Sequence, residues 1–368
     1  MKLESVELVR VKMPLVRPFR TSFGSQHVRD VLLVHVITDV SDGWGECAAH
    51  AEPFYNEEFV DAAEMVLQRW LIPPLFDQPH LTGDRVLDAS RVVKGYNAAR
   101  ASIEMAVLDA ELRARGVRLT SYLGGVREQV KVGVSIGITD SIAQLVDVVR
   151  GYVADGYCRA KLKIEPGWDI AAVRAVREAF PDLALQVDAN ASYGPNDVAH
   201  LAQLDSFAML LIEQPFAVDD LTSHAALASA VNTPVCLDES ILSVRSAQLA
   251  LDAQACSVIN IKVGRVGGLL EAKRIHDYCS ERNVQVWCGG MLESGVGRAA
   301  NVALATLSGF TLPGDISASD RYFARDVVEP FVLVDSSLAV PQGAGLGVTV
   351  DEGVLHELGA TRVSLRSS

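Results

Sequence analysis

Asp188, Glu213 and Asp238 recur at intervals of 25 residues, each closing a short apolar run: Leu-Ala-Leu-Gln-Val-Asp188, Met-Leu-Leu-Ile-Glu213 and Pro-Val-Cys-Leu-Asp238. Runs of this kind, each followed by a polar, helix-forming stretch, read as successive parallel strands. About 25 residues is what one strand, one crossover helix and two loops consume, and side chains at the carboxyl ends of such strands converge on one face of a barrel. The repeat therefore predicts an α/β chain with three carboxylates meeting at a barrel mouth.

Like charges held that close protonate unless a cation sits among them, and hard oxygen ligands select Mg²⁺ or Mn²⁺ over Zn²⁺. Mg²⁺ is the expected ion. Asn190, two residues beyond Asp188, shares its face and is a further ligand or a substrate contact. Three unrelated acids capping helix N-termini would be the alternative, but it leaves lysines at the same strand ends unexplained. Lys161 and Lys163, two apart in Arg159-Ala-Lys161-Leu-Lys163-Ile164, project to one side of a strand. Lys262 ends the run Val258-Ile-Asn-Ile-Lys262, 24 residues after Asp238. Counting strands places Lys161 and Lys163 on the second and Lys262 on the sixth, with the acids on the third, fourth and fifth between them. That arrangement suits removal of a proton next to a carboxylate: one lysine, its pKa lowered by neighbouring cations, takes the proton, the metal holds the enediolate, and the opposite lysine returns a proton.

The motifs Lys161-Leu-Lys163, Val187-Asp188-Ala-Asn190, Ile212-Glu213-Gln-Pro215, Leu237-Asp238-Glu239-Ser240 and Asn260-Ile-Lys262 resemble the muconate-lactonizing subgroup of the enolase superfamily over almost the full length. Pro18-Phe-Arg-Thr-Ser-Phe-Gly24, Gly43-Trp-Gly-Glu46 and Trp287-Cys-Gly-Gly-Met291 look most like its o-succinylbenzoate synthase and N-acylamino acid racemase group. The resemblance implies a modified TIM barrel, (β/α)7β, with an α+β capping domain. It implies Mg²⁺ on Asp188, Glu213 and Asp238, with Mn²⁺ or another divalent ion able to substitute. Lys163 and Lys262 are then the acid/base pair, Lys161 an electrostatic helper, and Asn190 and Glu239 close contacts. The implied reaction is racemisation of N-acyl, above all N-succinyl, amino acids, or syn dehydration to o-succinylbenzoate in menaquinone biosynthesis, or both in one site. Dipeptide epimerases of this kind carry Asp-x-Asp on the last strand to hold an ammonium, whereas this chain has Asp315-Ile-Ser317, which argues against a free α-amino group. Relatives of mandelate racemase use a late histidine base; here the sixth strand ends in Lys262, and His276 is expected on the surface of the following helix. Arg265, three residues after Lys262, is placed to tune that lysine and bias the choice between the two reactions.

The expected division is a cap in residues 1–125, a barrel in 126–322 that begins with the strand Val130–Ser135, and a segment 323–368 that returns to the cap. The helix from Asn97 to Gly116 has Met105, Leu108 and Leu112 on its inner face. Phe19, Phe23, His50 and Tyr55 lie in two cap segments expected to close over the mouth and exclude water, with ordinary cap packing as the alternative. Ser135 is either a contact for a distal carboxylate or a hydroxyl of a barrel layer. Gly290, Met291 and Leu292 after the seventh strand read as an apolar wall with backbone N–H groups for an acyl carbonyl. Gly264, Gly267 and Gly268 lack the full dinucleotide fingerprint and are read as a loop that approaches substrate or the next helix.

The 368 residues accommodate a barrel and a cap, and the net charge of −13 repels phosphate backbones and anionic membranes. Small-molecule substrates, not nucleic acid, are expected. No apolar stretch reaches membrane-spanning length and the start lacks a signal-peptide core, so a cytoplasmic protein, forming a homo-oligomer, is expected. The six cysteines show no paired spacing and read as reduced packing thiols. A non-catalytic scaffold of this design would have lost a ligand or a base, and none is missing.

Overall fold

The structure is a computed structural model and describes residues 1–367. Four antiparallel strands build the cap sheet: β1 (Leu3–Thr21), β2 (Gly24–Thr38) and β3 (Asp42–Cys47), with the late strand β13 (Thr361–Arg366) on the outer edge of β1. Alternation along β1 sends Val9, Val11 and Met13 into the main core, while Val6 and Leu8 join Leu32, Val34 and Val36 in a second one. The helix Asn97–Ala114 closes that second core. Met105, Leu108 and Leu112 face the main core, yet Ile103, Ala106 and Val107 are buried as well, because the helix is wedged between the sheet and other elements instead of lying on a surface.

The barrel is a curled parallel sheet in sequence order: β5 (Val134–Ile136), β6 (Arg159–Lys163), β7 (Ala184–Asp188), β8 (Ile212–Glu213), β9 (Val235–Leu237), β10 (Val258–Ile261) and β11 (Gln285–Cys288). An eighth segment spans the gap between first and last: Gly133 N–H donates to Gly314 O at 2.8 Å and Asp315 N–H to Cys288 O at 2.9 Å. Helix starts are set by local caps, as where Ser141 accepts from Gln144 N–H and Asp220 from Ser223 N–H.

Three expectations need correction. The stretch Val130–Ser135 is not one barrel strand. It splits into β4 (Gln129–Lys131), which pairs antiparallel with β12 (Ser337–Ala339), and β5. The break falls at Gly133, where a Cβ would stand 2.3 Å from Nε of Arg159, so the chain presses its backbone against that guanidinium. The C-terminal segment accordingly serves both units: β12 joins the barrel side, while β13 and residues 345–348 meet the cap, where Leu346 N–H donates to Asp109 Oδ1 at 2.7 Å and Val348 O accepts from Arg113 at 2.9 Å. His276 is buried, not on the surface: its ring stacks on Phe310 at 5.3 Å and Nε2 accepts from Gly309 N–H at 3.0 Å. Gly264 and Gly268 approach the cap instead of substrate, since Cβ atoms there would meet Ala48 and the Glu104 carboxylate. Among the described residues no helix is long and apolar enough to cross a membrane.

Candidate active site

Period-two alternation turns Arg159, Lys161 and Lys163 of β6 to the barrel interior while Ala160 and Leu162 pack outward, and all five are buried. Asp188 ends β7 and Glu213 ends β8, whereas Asp238 and Lys262 directly follow β9 and β10. One oxygen from each of Asp188, Glu213 and Asp238 lies within 4.8 Å of the others, and all three residues are fully buried. Three carboxylates without thiol or imidazole form a hard-oxygen donor set that fits a divalent ion such as Mg²⁺, Ca²⁺ or Mn²⁺.

Their other contacts hold them in place. Asp188 Oδ2 accepts from Lys163 Nζ at 2.6 Å and lies 3.0 Å from Lys161 Nζ, while Oδ1 accepts from Asn190 N–H at 3.0 Å. Glu213 accepts from Lys161 Nζ at 3.0 Å and from Asn260 Nδ2 at 2.7 Å. Asp238 pairs with Lys262 Nζ at 2.7 Å and with the Arg265 guanidinium. Gln214 Oε1 accepts from the backbone N–H of both Asp238 and Ser240, tying the end of one ligand strand to the next.

The lysines differ electrostatically. Burial, with the charge of Lys161 beside it, brings Lys163 below the ordinary lysine range against the pull of Asp188. Burial acts likewise on Lys161, but Asp188, Asp315 and Glu213 outweigh it and hold that ammonium well above the range. Lys262 is also held high, burial being exceeded by Tyr55 and Glu239. Asp315 is engaged on both oxygens, by Arg159 and by Lys161 Nζ at 2.6 Å, and the Trp287 ring lies 5.5 Å from the Arg159 guanidinium and 5.0 Å from Lys161 Nζ.

Above the lysines opens a cavity of about 260 Å³. Its walls include Ser135, Lys161, Lys163, Asn190, Lys262 and Asp315 from the barrel, with Gly290, Met291 and Leu292 after β11. The cap contributes Phe19, Phe23, His50 and Tyr55. The hydroxyl of Ser135 is buried without a protein partner. His50 is held far below the ordinary histidine range by burial and by Arg29, so it is a neutral wall stacked on Tyr55. Glu239 and Arg265 do not line the cavity. Glu239 accepts from Asn190 Nδ2 at 2.9 Å, and Arg265 reaches Asp238 from behind while donating to the carbonyls of Ile241 and Asn260. Missed by the sequence reading were Thr21, Gln26, Phe54 and Tyr322 in the wall and the supports Asn260, Gln214 and Trp287. Asn260 and Trp287 carried a signal, two residues before Lys262 and Gly289 on the same strand face; the four wall positions carried none.

A capped α/β barrel whose strand ends present a carboxylate triad between lysines defines a class of enzymes that act on small molecules. Residues 4–124 match the mandelate racemase / muconate lactonizing enzyme N-terminal domain and residues 144–354 the enolase C-terminal domain-like family, and the chain belongs to this family. It is 54% identical to an N-succinylamino acid racemase of Amycolatopsis sp over 100% of both chains. It is 47% identical to an o-succinylbenzoate synthase of Geobacillus kaustophilus, over 95% of this chain and 94% of that one. A solved enolase superfamily member from Listeria innocua superposes with a TM-score of 0.95 at 39% identity, over 100% of this chain and 99% of the other.

Proposed function

We propose that the protein racemises N-acyl amino acids, N-succinyl derivatives above all, by a 1,1-proton transfer between two lysines with Mg²⁺ as its ion. The observation that carries this reading is that Lys163 and Lys262 reach the triad from different strands, each paired to a different carboxylate, Asp188 and Asp238. Asp188, Glu213 and Asp238 would hold the ion, which supplies positive charge to a substrate carboxylate as its α-carbon becomes acidic. Lys163, the lysine poised low, takes the α-proton at Nζ; the electron pair delocalises into the carboxylate as an enediolate; Lys262 delivers a proton from Nζ to the opposite face. The site's charge supports an anionic substrate. Arg159, Lys161, Lys163, Lys262 and Arg265 already face Asp188, Glu213, Asp238, Glu239 and Asp315, so a divalent ion leaves a positive excess for a carboxylate to offset.

Asp315 is committed to Arg159 and Lys161, and Ser317, where the dipeptide epimerases carry a second aspartate, is uncharged and fully buried, so neither offers a free carboxylate to an ammonium. An amide nitrogen meets no such demand. The cap, taken as residues 1–125 with part of 323–368, supplies specificity and the barrel, residues 126–322, the chemistry. Syn dehydration to o-succinylbenzoate is the second reading, favoured by the 47% identity to a synthase, and it uses the same first proton abstraction. The test is solvent-deuterium incorporation into each enantiomer of N-succinylphenylalanine: exchange from both, abolished by a chelator and restored by Mg²⁺, is expected. Exchange that persists in rigorously metal-free protein overturns the mechanism.

A further inference from the structure

The two lysines are held by different parts of the molecule. Lys163 Nζ bonds to Asp188 and, at 2.7 Å, to Asn190 Oδ1, both of them barrel residues. Lys262 Nζ bonds to Asp238 of the barrel but also to the cap: it donates to the Tyr55 hydroxyl at 3.2 Å and lies 4.8 Å from the centre of the Tyr55 ring. The same hydroxyl reaches Asp238 Oδ1 at 3.4 Å. Tyr55 is itself fixed by His50, stacked at 5.8 Å, and flanked by Phe23 at 6.4 Å, and all three line the cavity. On its far side the Lys262 stem runs against Gly289, where a Cβ would stand 2.8 Å from Cε. Lys262 is thus threaded between a backbone in the barrel and an aromatic ring from the cap.

We propose that Tyr55 is a positioning residue for Lys262, so that the cap controls proton transfer on one face of the substrate and leaves the other to the barrel. The inference rests on the two-lysine reading above. A hydroxyl that accepts from the ammonium and a ring that faces it fix where the proton sits relative to the α-carbon. Nothing comparable from the cap touches Lys163, so loss of Tyr55 acts on one half-reaction.

The experiment measures washout of α-deuterium from each enantiomer of N-succinylphenylalanine separately, in the Mg²⁺-loaded wild type and in Tyr55→Phe and Tyr55→Leu. Lys163→Ala and Lys262→Ala identify which enantiomer each lysine serves. Tyr55→Phe keeps the ring and removes the hydroxyl, and it is expected to shift the ratio of the two washout rates by about tenfold against the Lys262 enantiomer, in kcat rather than KM. Tyr55→Leu, which removes both contacts, shifts it further. Equal losses for both enantiomers, or none, overturn the positioning role and leave the two-lysine reading intact. Wild-type washout from neither enantiomer overturns both.

Discussion

A methyl group at position 289 would stand 2.8 Å from Cε of Lys262 and 2.3 Å from Oδ1 of Asn260, so Gly289→Ala has to push the lysine out of line. Displacing a reacting group by about 1 Å costs on the order of 10²-fold, and kcat should fall by at least about that factor, with Mg²⁺ binding weakened as well because Asn260, the nearer of the two side chains, holds Glu213. An unchanged kcat would mean that Lys262 has slack the geometry denies. Asp315→Ala tests the layer below. It leaves Arg159 and Lys161 buried with one carboxylate fewer, a loss of about 3–5 kcal/mol for a broken buried pair, read as a lower midpoint in urea. A variant as stable as the parent would show that water or Glu213 compensates. The triad and the lysines were legible in the sequence because a parallel barrel converts a 25-residue repeat into spatial convergence. Arg265 was placed near Lys262 by spacing alone; a helix begins at Val263, and its first turn brings that guanidinium onto Asp238, the carboxylate that Lys262 also pairs.

Between the two units, helix N-termini meet buried carboxylates. Glu104 of the cap helix accepts from Leu269 N–H at the start of the helix Leu269–Ser280, and Glu46 from Ser294 and Gly297 N–H at the start of Gly295–Ala305. Within the cap, Glu58 does the same, accepting from Ala98 and Ala99 N–H at the start of the helix Asn97–Ala114. Burial pushes Glu104 up to about 8 and both Glu46 and Glu58 up to about 7. With folded values above unfolded ones, the native state binds protons more tightly. Its stability is therefore full below about pH 4.5 for these groups and is lost as pH rises through 7 to 8. The thermal midpoint should fall with pH across that window, and Glu104→Gln should flatten the slope. If the slope is the same in the variant, Glu104 does not titrate there. Such docking was not legible beforehand, because partners 165 residues apart leave no periodicity. The split of Val130–Ser135 was hidden for a related reason: its partner β12 lies some 200 residues on, and only the clash of a Cβ with Arg159 shows why the chain breaks.

Across the whole molecule, cap and barrel share one cavity, so ligands report on both. Binding of Mg²⁺ to the folded triad but not to the unfolded chain should raise the thermal midpoint with log concentration, and Asp188→Asn should weaken that response. A midpoint indifferent to Mg²⁺ would argue against the triad as the binding site. N-succinylphenylalanine should exceed a dipeptide in kcat/KM by at least about 10², since the dipeptide buries an ammonium that Asp315 and Ser317 cannot pair. Comparable values would remove the substrate class and leave the fold standing. The cap wall was the least legible part, because its residues come from separate places, Gln26 from the start of β2 and Phe54 from a connecting segment, and which of them meet the cavity depends on contacts with the barrel. One feature of the cap sheet bears on how the chain is made. Strand β1 receives its outer neighbour only from Thr361–Arg366, paired from Ser5 with Arg366 to Arg10 with Thr361. On a ribosome that edge emerges well before its cover, tens of seconds ahead at about 5–20 residues per second. During that interval the nascent chain carries an open strand edge able to pair with another copy, so its yield in a cell depends on chaperones and on the speed of translation as much as on the stability of the finished fold.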